Sequence, residues 1–80
     1  MTITVLLFAS YADALGRSAL ELSLPQGATV ADAMAGLAGM PGSDRLPPSP
    51  LVAVNERWAA RDQVLRAGDQ VAIIPPVAGG

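Results

Sequence analysis

The chain has 80 residues, of which 51% are hydrophobic and 15% charged, with a formal net charge of −2. A chain this short buries one modest core, which excludes a second domain and a large enclosed active site. It contains no Cys, His or Lys, so disulfides, thiol nucleophiles, histidine bases and the usual zinc and haem ligand sets are excluded.

The positive charges are five arginines, Arg17, Arg45, Arg57, Arg61 and Arg66, against five Asp and two Glu. With an isoelectric point near 4.6 and no basic run, the sequence does not read as a nucleic-acid binder. Met1 to Thr4 place no basic segment before the first apolar run, so no signal peptide is expected. No apolar stretch has the length of a bilayer span. The expectation is a soluble, cytoplasmic protein without a membrane partner. A single Trp, Tyr and Phe point to an aliphatic core.

Thr2 to Ala9 reads as the first strand, opened by β-branched residues, with Ile3, Val5 and Leu7 on one face and Thr4, Leu6 and Phe8 on the other. Both faces turn apolar toward its end, as in a central strand. A short helical segment follows, from Ser10 as the expected N-cap to Leu15, closed by Gly16. Ala19 to Leu24 then alternates, with Leu20, Leu22 and Leu24 inward and Glu21 and Ser23 outward. That is the pattern of a half-exposed antiparallel strand hairpinned to the first.

After the Pro25-Gln26-Gly27 turn, Thr29 and Asp32 stand at the N-cap and N3 positions of a helix. Val30, Ala33, Met34, Leu37 and Ala38 form its apolar stripe. Gly36 weakens the helix and Gly39 stops it. Residues 39–50 hold Pro41, Pro47, Pro48 and Pro50, and are expected to form neither helix nor central strand but a mobile surface loop. Leu51 to Val54 reads as a strand, Asn55-Glu56 as a turn and Trp58 to Ala60 as a short return strand. Ala67-Gly68-Asp69 marks a turn. Gln70 to Ile74 is the last strand, and its continuous run Val71-Ala72-Ile73-Ile74 suggests cover on both faces. The order gives an α+β class, a mixed sheet of four to five strands with one main helix packed across it. That is the beta-grasp arrangement, although a ferredoxin-like or another small α+β sheet satisfies the same pattern.

No side-chain constellation amounts to an active site. Asp13, Asp32, Asp62 and Asp69 read as solvated carboxylates, and glycosidic acid–base work would need a cleft between two of them. Arg57 and Arg61 flank Trp58 and offer an aromatic–basic contact patch, the plainer reading being an exposed Trp that closes a sheet edge. Gly27, Gly36, Gly39 and Gly42 lack a phosphate-cradling spacing.

The C-terminal residues carry more. Pro75-Pro76 fixes two φ angles and sends the chain out of the last strand in a stiff, extended direction. Gly79-Gly80 has no Cβ to obstruct a narrow channel, and its α-carboxylate, once adenylated by ATP, becomes a good acceptor for a sulfur or nitrogen nucleophile. A chance Gly-Gly at this place arises roughly once in 200 chains; the plain alternative is a frayed terminus. Lacking Cys, His and any recognisable nucleotide loop, the chain has nothing with which to activate that carboxylate itself. The pattern is that of a carrier served by partners.

These residues resemble the MoaD/ThiS family of ubiquitin-like sulfur carriers, in its branch of molybdopterin synthase small subunits. The likeness runs over essentially the whole chain. It is strongest in Ala67-Gly68-Asp69-Gln70-Val71-Ala72-Ile73-Ile74-Pro75-Pro76-Val77-Ala78-Gly79-Gly80. Val5-Leu6-Leu7-Phe8-Ala9, Thr29-Val30 and Val52-Ala53-Val54-Asn55 support it. Terminal Gly-Gly is common to many carriers, whereas the Pro75-Pro76-Val77 context points to molybdopterin.

The resemblance implies a beta-grasp (ubiquitin-like) fold, with residues 1–80 a single domain and 75–80 a flexible tail. It implies a protein that is non-catalytic alone and acts as the small subunit of a sulfurtransferase complex, with no bound cofactor or metal. A ubiquitin-activating-like adenylating enzyme, using ATP, would turn Gly80 into an acyl-adenylate, and a sulfur donor would convert that to a thiocarboxylate. The tail would then enter the large synthase subunit, where sulfur passes to cyclic pyranopterin monophosphate to build the dithiolene. Gly80 would carry the sulfur and Gly79 accompany it in the channel. Pro75, Pro76, Val77 and Ala78 would position the tail, and the surface around Phe8, Trp58 and Ile74 would dock the partners.

Two departures stand out. Many relatives have an arg-glu pair in the first short helix, where this chain has Ala12-Asp13, and aromatics in the last strand, where it has Ile73 and Ile74. Three rival readings remain open: sulfur donation for thiazole, cysteine or a tungsten-type cofactor, a protein modifier joined through Gly80 to target amines, and a beta-grasp binding module with an inert tail.

Overall fold

The computed structural model describes residues 1–47 and 50–75. Along the chain lie β1 (Thr2–Leu7), α1 (Ala9–Leu15), β2 (Ala19–Ser23), α2 (Val30–Ala38), a 3-10 turn (Ser43–Arg45), β3 (Leu51–Val54), β4 (Arg57–Trp58) and β5 (Gln70–Ile74). The strands form one mixed sheet in the order β2-β1-β5-β3-β4. β1 pairs antiparallel with β2, Val5 facing Leu20, and parallel with β5, Leu7 facing Ile73. β3 pairs antiparallel with both β5 and β4. A hairpin, one main helix and a last strand inserted at the sheet centre make the beta-grasp fold. A ferredoxin-like sheet would need a second crossover helix.

The core gathers Ile3, Val5 and Leu7 of β1, Leu20 of β2, Val30, Ala33 and Leu37 of α2, Val52 and Val54 of β3, and Val71 and Ile73 of β5. It is aliphatic as expected, with one exception: Tyr11 of α1 is also buried. No charged or polar residue is buried among the described residues.

The start of α2 explains how the segment before β5 is held. Thr29 and Asp32 form the expected capping box: the Thr29 backbone N–H donates to Asp32 Oδ2 at 2.8 Å, and Thr29 Oγ1 accepts from the Asp32 N–H at 3.4 Å. Two further amides of the first turn find backbone partners. Val30 N–H donates to the Gln63 carbonyl (3.0 Å) and Ala31 N–H to that of Arg61 (2.9 Å). Leu65 N–H returns to the Ala28 carbonyl (2.8 Å) while its side chain enters the core. Residues 61–65 thus satisfy donors that a helix start leaves open.

Several expected boundaries shift. β1 ends at Leu7, not Ala9, and β2 at Ser23, not Leu24. Ser10 is not the cap of α1: Phe8 holds the cap position with extended backbone and no side-chain bond, and its carbonyl accepts from Tyr11 N–H. The chain turns directly from strand into helix through Ala9 at φ 47°, which leaves Ser10 inside the first turn. Gly16 closes α1 in the left-handed conformation, as expected. The return strand is Arg57–Trp58, not Trp58 to Ala60. The proline-rich connection, expected to be irregular, contains the 3-10 turn at Ser43–Arg45; Pro48 and Ser49 lie outside the described residues.

Candidate functional site

Alternation along the strands divides the sheet into two unlike faces. Every buried strand residue lies on the face that meets α2, and no strand residue on the opposite face is buried. That second face is nonetheless apolar. The register carries Leu6, Ala72, Ala53 and Trp58 across it in one row, since Leu6 pairs with Ala72, Ala72 with Ala53, and Ala53 with Trp58. A second row lies nearer the C-terminus: Leu51 pairs with Ile74, and Phe8 follows Leu7, whose partner is Ile73. The expected cover on both faces of β5 is therefore not found. Val71 and Ile73 are buried, whereas Ala72 and Ile74 are only half-buried.

The largest side chains here are well exposed: Phe8 at 46%, Leu51 at 56% and Trp58 at 70%. In a domain with three aromatic residues, placing two of them on a water-facing sheet surface forgoes core burial. Contiguous exposed apolar area of this kind marks an interaction surface.

The predicted docking residues Phe8, Trp58 and Ile74 thus share one face, with Phe8 and Ile74 at the end where β5 finishes and Trp58 one row away. Pro75 is half-buried at that exit. Pro76, Val77, Ala78, Gly79 and Gly80 lie outside the described residues. Sequence reading missed Leu51, Ala53 and Ala72. In Leu51-Val52-Ala53-Val54 both parities are apolar, so periodicity does not choose the outward pair; the register with β5 does.

The turn at the other end of β3 is built from polar bonds. Asn55 Nδ2 donates to Asp69 Oδ1 at 2.9 Å, Gln70 N–H donates to Asn55 Oδ1 at 3.0 Å, and Arg66 N–H donates to Asp69 Oδ2 at 2.8 Å. Asp69, expected to be a turn former, also ties the β3–β4 turn to the start of β5. Among the described residues there is no group of three or more His, Cys, Asp or Glu able to hold a metal ion, and no helix is long and apolar enough to cross a membrane.

A beta-grasp domain that presents a bare apolar sheet face beside its C-terminal exit belongs structurally with the ubiquitin-like carriers. Comparison with known proteins narrows the class. The ThiS family profile matches residues 5–80. A molybdopterin synthase sulfur carrier subunit of Arabidopsis thaliana is 32% identical over 79 residues, covering 98% of this chain and 82% of that protein. The crystal structure of SAMP1 from Haloferax volcanii superposes with a TM-score of 0.87 at 30% identity, covering 100% of both chains. A chain from the complex of subunits 1 and 2 of the molybdopterin-converting factor of Helicobacter pylori has the same fold, with a TM-score of 0.76, 20% identity and 100% coverage of both. The chain belongs to the ThiS family, the MoaD/ThiS sulfur carriers, and is homologous to the small subunit of molybdopterin synthase.

Proposed function

We propose that this protein carries sulfur on its C-terminal residue for the synthesis of the molybdenum cofactor. The Gly80 carboxylate attacks the α-phosphate of ATP on an adenylating partner, releasing pyrophosphate and leaving an acyl-adenylate. A persulfide donor displaces AMP through its outer sulfur. A thiol of the partner then cleaves the resulting acyl disulfide, leaving with the donor's inner sulfur as a disulfide and freeing a thiocarboxylate at Gly80. In the large synthase subunit that sulfur passes to cyclic pyranopterin monophosphate, and a water oxygen restores the carboxylate. Two such deliveries complete the dithiolene. In this reading Pro75, Pro76, Val77 and Ala78 direct Gly79 and Gly80 into the partner's channel. The setting is cytoplasmic.

One observation carries this reading: the apolar patch of Phe8, Leu51 and Ile74 sits at the end of β5 from which the tail departs. A partner seated there receives the tail and the sheet face together. Family membership supports the sulfur chemistry, and the Arabidopsis relative supports the pathway. The Helicobacter pylori complex supports pairing with a second subunit.

The test is reconstitution with a large subunit, an adenylating enzyme, ATP and a sulfur donor. Full-length protein should yield dithiolene product, and a variant lacking Gly80 should yield none while retaining the same melting curve. Product formation without Gly80 would refute the proposal. A second reading, conjugation of Gly80 to target amines, draws support from the likeness to SAMP1, described as small archaeal modifier protein 1. It predicts covalent adducts of this chain on other proteins in cell extracts, absent when Gly80 is removed.

A further inference from the structure

We infer that the cleft at the β4 edge docks an acidic segment of a partner protein. The cleft has a volume of about 520 Å³ and is lined chiefly by Asn55, Arg57, Trp58, Val64, Arg66 and Asp69. β5 begins here at Gln70 and ends at Ile74, so the Asp69 end of the cleft lies a strand's length, roughly 13 Å, from the tail exit, while its lip at Trp58 is level with Ala72, one row from that exit.

Its walls combine an apolar lip with two cationic side chains. Trp58 and Val64 are 70% and 58% exposed, giving it an apolar lip. Arg57 and Arg66 supply two guanidinium groups, neither of which has a hydrogen-bond or ion-pair partner among the described residues. The one acid in the lining is Asp69, and both of its oxygens are already engaged, Oδ1 by Asn55 Nδ2 and Oδ2 by Arg66 N–H. It stiffens the wall without pairing with either guanidinium. Glu56 and Asp62 are near in sequence but do not line the cleft.

The charge pattern selects the occupant. The chain as a whole is acidic, with a net charge of −2, so a diffuse attraction for anions is absent and any affinity for one must be local. Two forked guanidiniums beside an exposed indole fit carboxylates with bidentate geometry, flanked by an apolar or aromatic side chain. Nucleic acid is the poorer match, because two cations on an acidic protein neutralise too few phosphates.

The experiment is a titration of the uniformly ¹⁵N-labelled full chain with an octaglutamate peptide and, separately, with octauridylate, followed by amide and indole N–H shifts. Octaglutamate should give saturable shifts confined to residues 54–58, 63–66 and 69. The double substitution Arg57→Gln, Arg66→Gln should weaken its apparent affinity about ten-fold, the loss of two charge-assisted contacts. The control Arg17→Gln, Arg45→Gln should change nothing. Each variant's own amide spectrum establishes that it is folded, and either single substitution replaces the double if that one is not. Absence of saturable shifts, an equal loss in the control, or tighter binding of octauridylate would overturn the assignment.

Discussion

Asn55 and Glu56 show how one residue can suit a turn while its neighbour strains in it. Both have positive φ, 50° and 70°, as a two-residue turn between twisted antiparallel strands requires. Asn tolerates the left-handed region and here also bonds Asp69 and Gln70. Glu56 is exposed and contributes no hydrogen bond that would offset its conformation. Glu56→Gly should therefore stabilise the fold by about 0.5–1 kcal/mol, the left-handed penalty less the added chain entropy of glycine. A rise in the urea midpoint at unchanged m-value checks this, and a fall would contradict it.

Gly42 lies at the opposite limit. Its φ is 90°, and a Cβ there would run into the carbonyl of Ala14, at the end of α1. Gly42→Ala should cost about 2–4 kcal/mol, the sum of backbone strain and overpacking, measurable by the same denaturation. The sequence marks residues 55–56 as a turn from composition. It gives no sign of Gly42, whose constraint comes from a helix distant in sequence.

Among the elements, α2 was the most legible. Its capping box and terminating glycine stand in the sequence at fixed spacing and appear in the structure, and its apolar stripe is buried at Val30, Ala33 and Leu37, though Ala38 at its end is exposed. Thr29→Ala should cost about 1 kcal/mol, and Leu37→Ala, which empties a fully buried site, about 2–5 kcal/mol; both are read from thermal or urea unfolding. α1 was less legible because Ser10 is a good cap residue at a place where the chain is already helical. A strand that passes into a helix without a linker puts the cap on the residue that ends the extended run, here Phe8, whose side chain accepts no hydrogen bond. The hold of residues 61–65 on the start of α2 uses backbone bonds, which leave no trace in side-chain identity.

The faces of β3 and β5 were ambiguous for a different reason: both parities are apolar, one face meeting the core and the other, half-buried or exposed, being the face the proposed function gives to a partner. Substituting the outward residues separates the two roles. Leu51→Asp should leave unfolding free energy within about 0.5 kcal/mol, as expected for an exposed position. It should weaken binding to the large synthase subunit at least about ten-fold, because it buries a charge in an apolar contact. Calorimetry on the purified pair reads the second effect. Unaltered binding would remove the sheet face from the docking account.

At the scale of the whole molecule, the order of strands and the single long helix were enough to suggest a beta-grasp domain, and the closing Pro75 to Gly80 pattern was enough to suggest a carrier. Neither inference needed a catalytic residue. The family resemblance grouped Phe8 and Ile74 with Trp58 on one surface; what the sequence could not supply was Leu51 in line with Phe8 and Ile74 at the exit of the last strand. That alignment follows from β5 being inserted at the sheet centre, parallel to β1 and antiparallel to β3, so that all three meet at one end. Under the proposed function, a carrier of this design would keep its docking face and its reactive end together and leave the reaction chemistry to its partners.

Sulfur on Gly80 is read most directly from the intact mass of the protein purified from its native cells, with fragmentation of the tail. A population is expected in which one carboxylate oxygen of Gly80 is exchanged for sulfur, increased by incubation with ATP, a sulfur source and the adenylating enzyme. A free carboxylate under every growth condition, unchanged by that incubation, would contradict it.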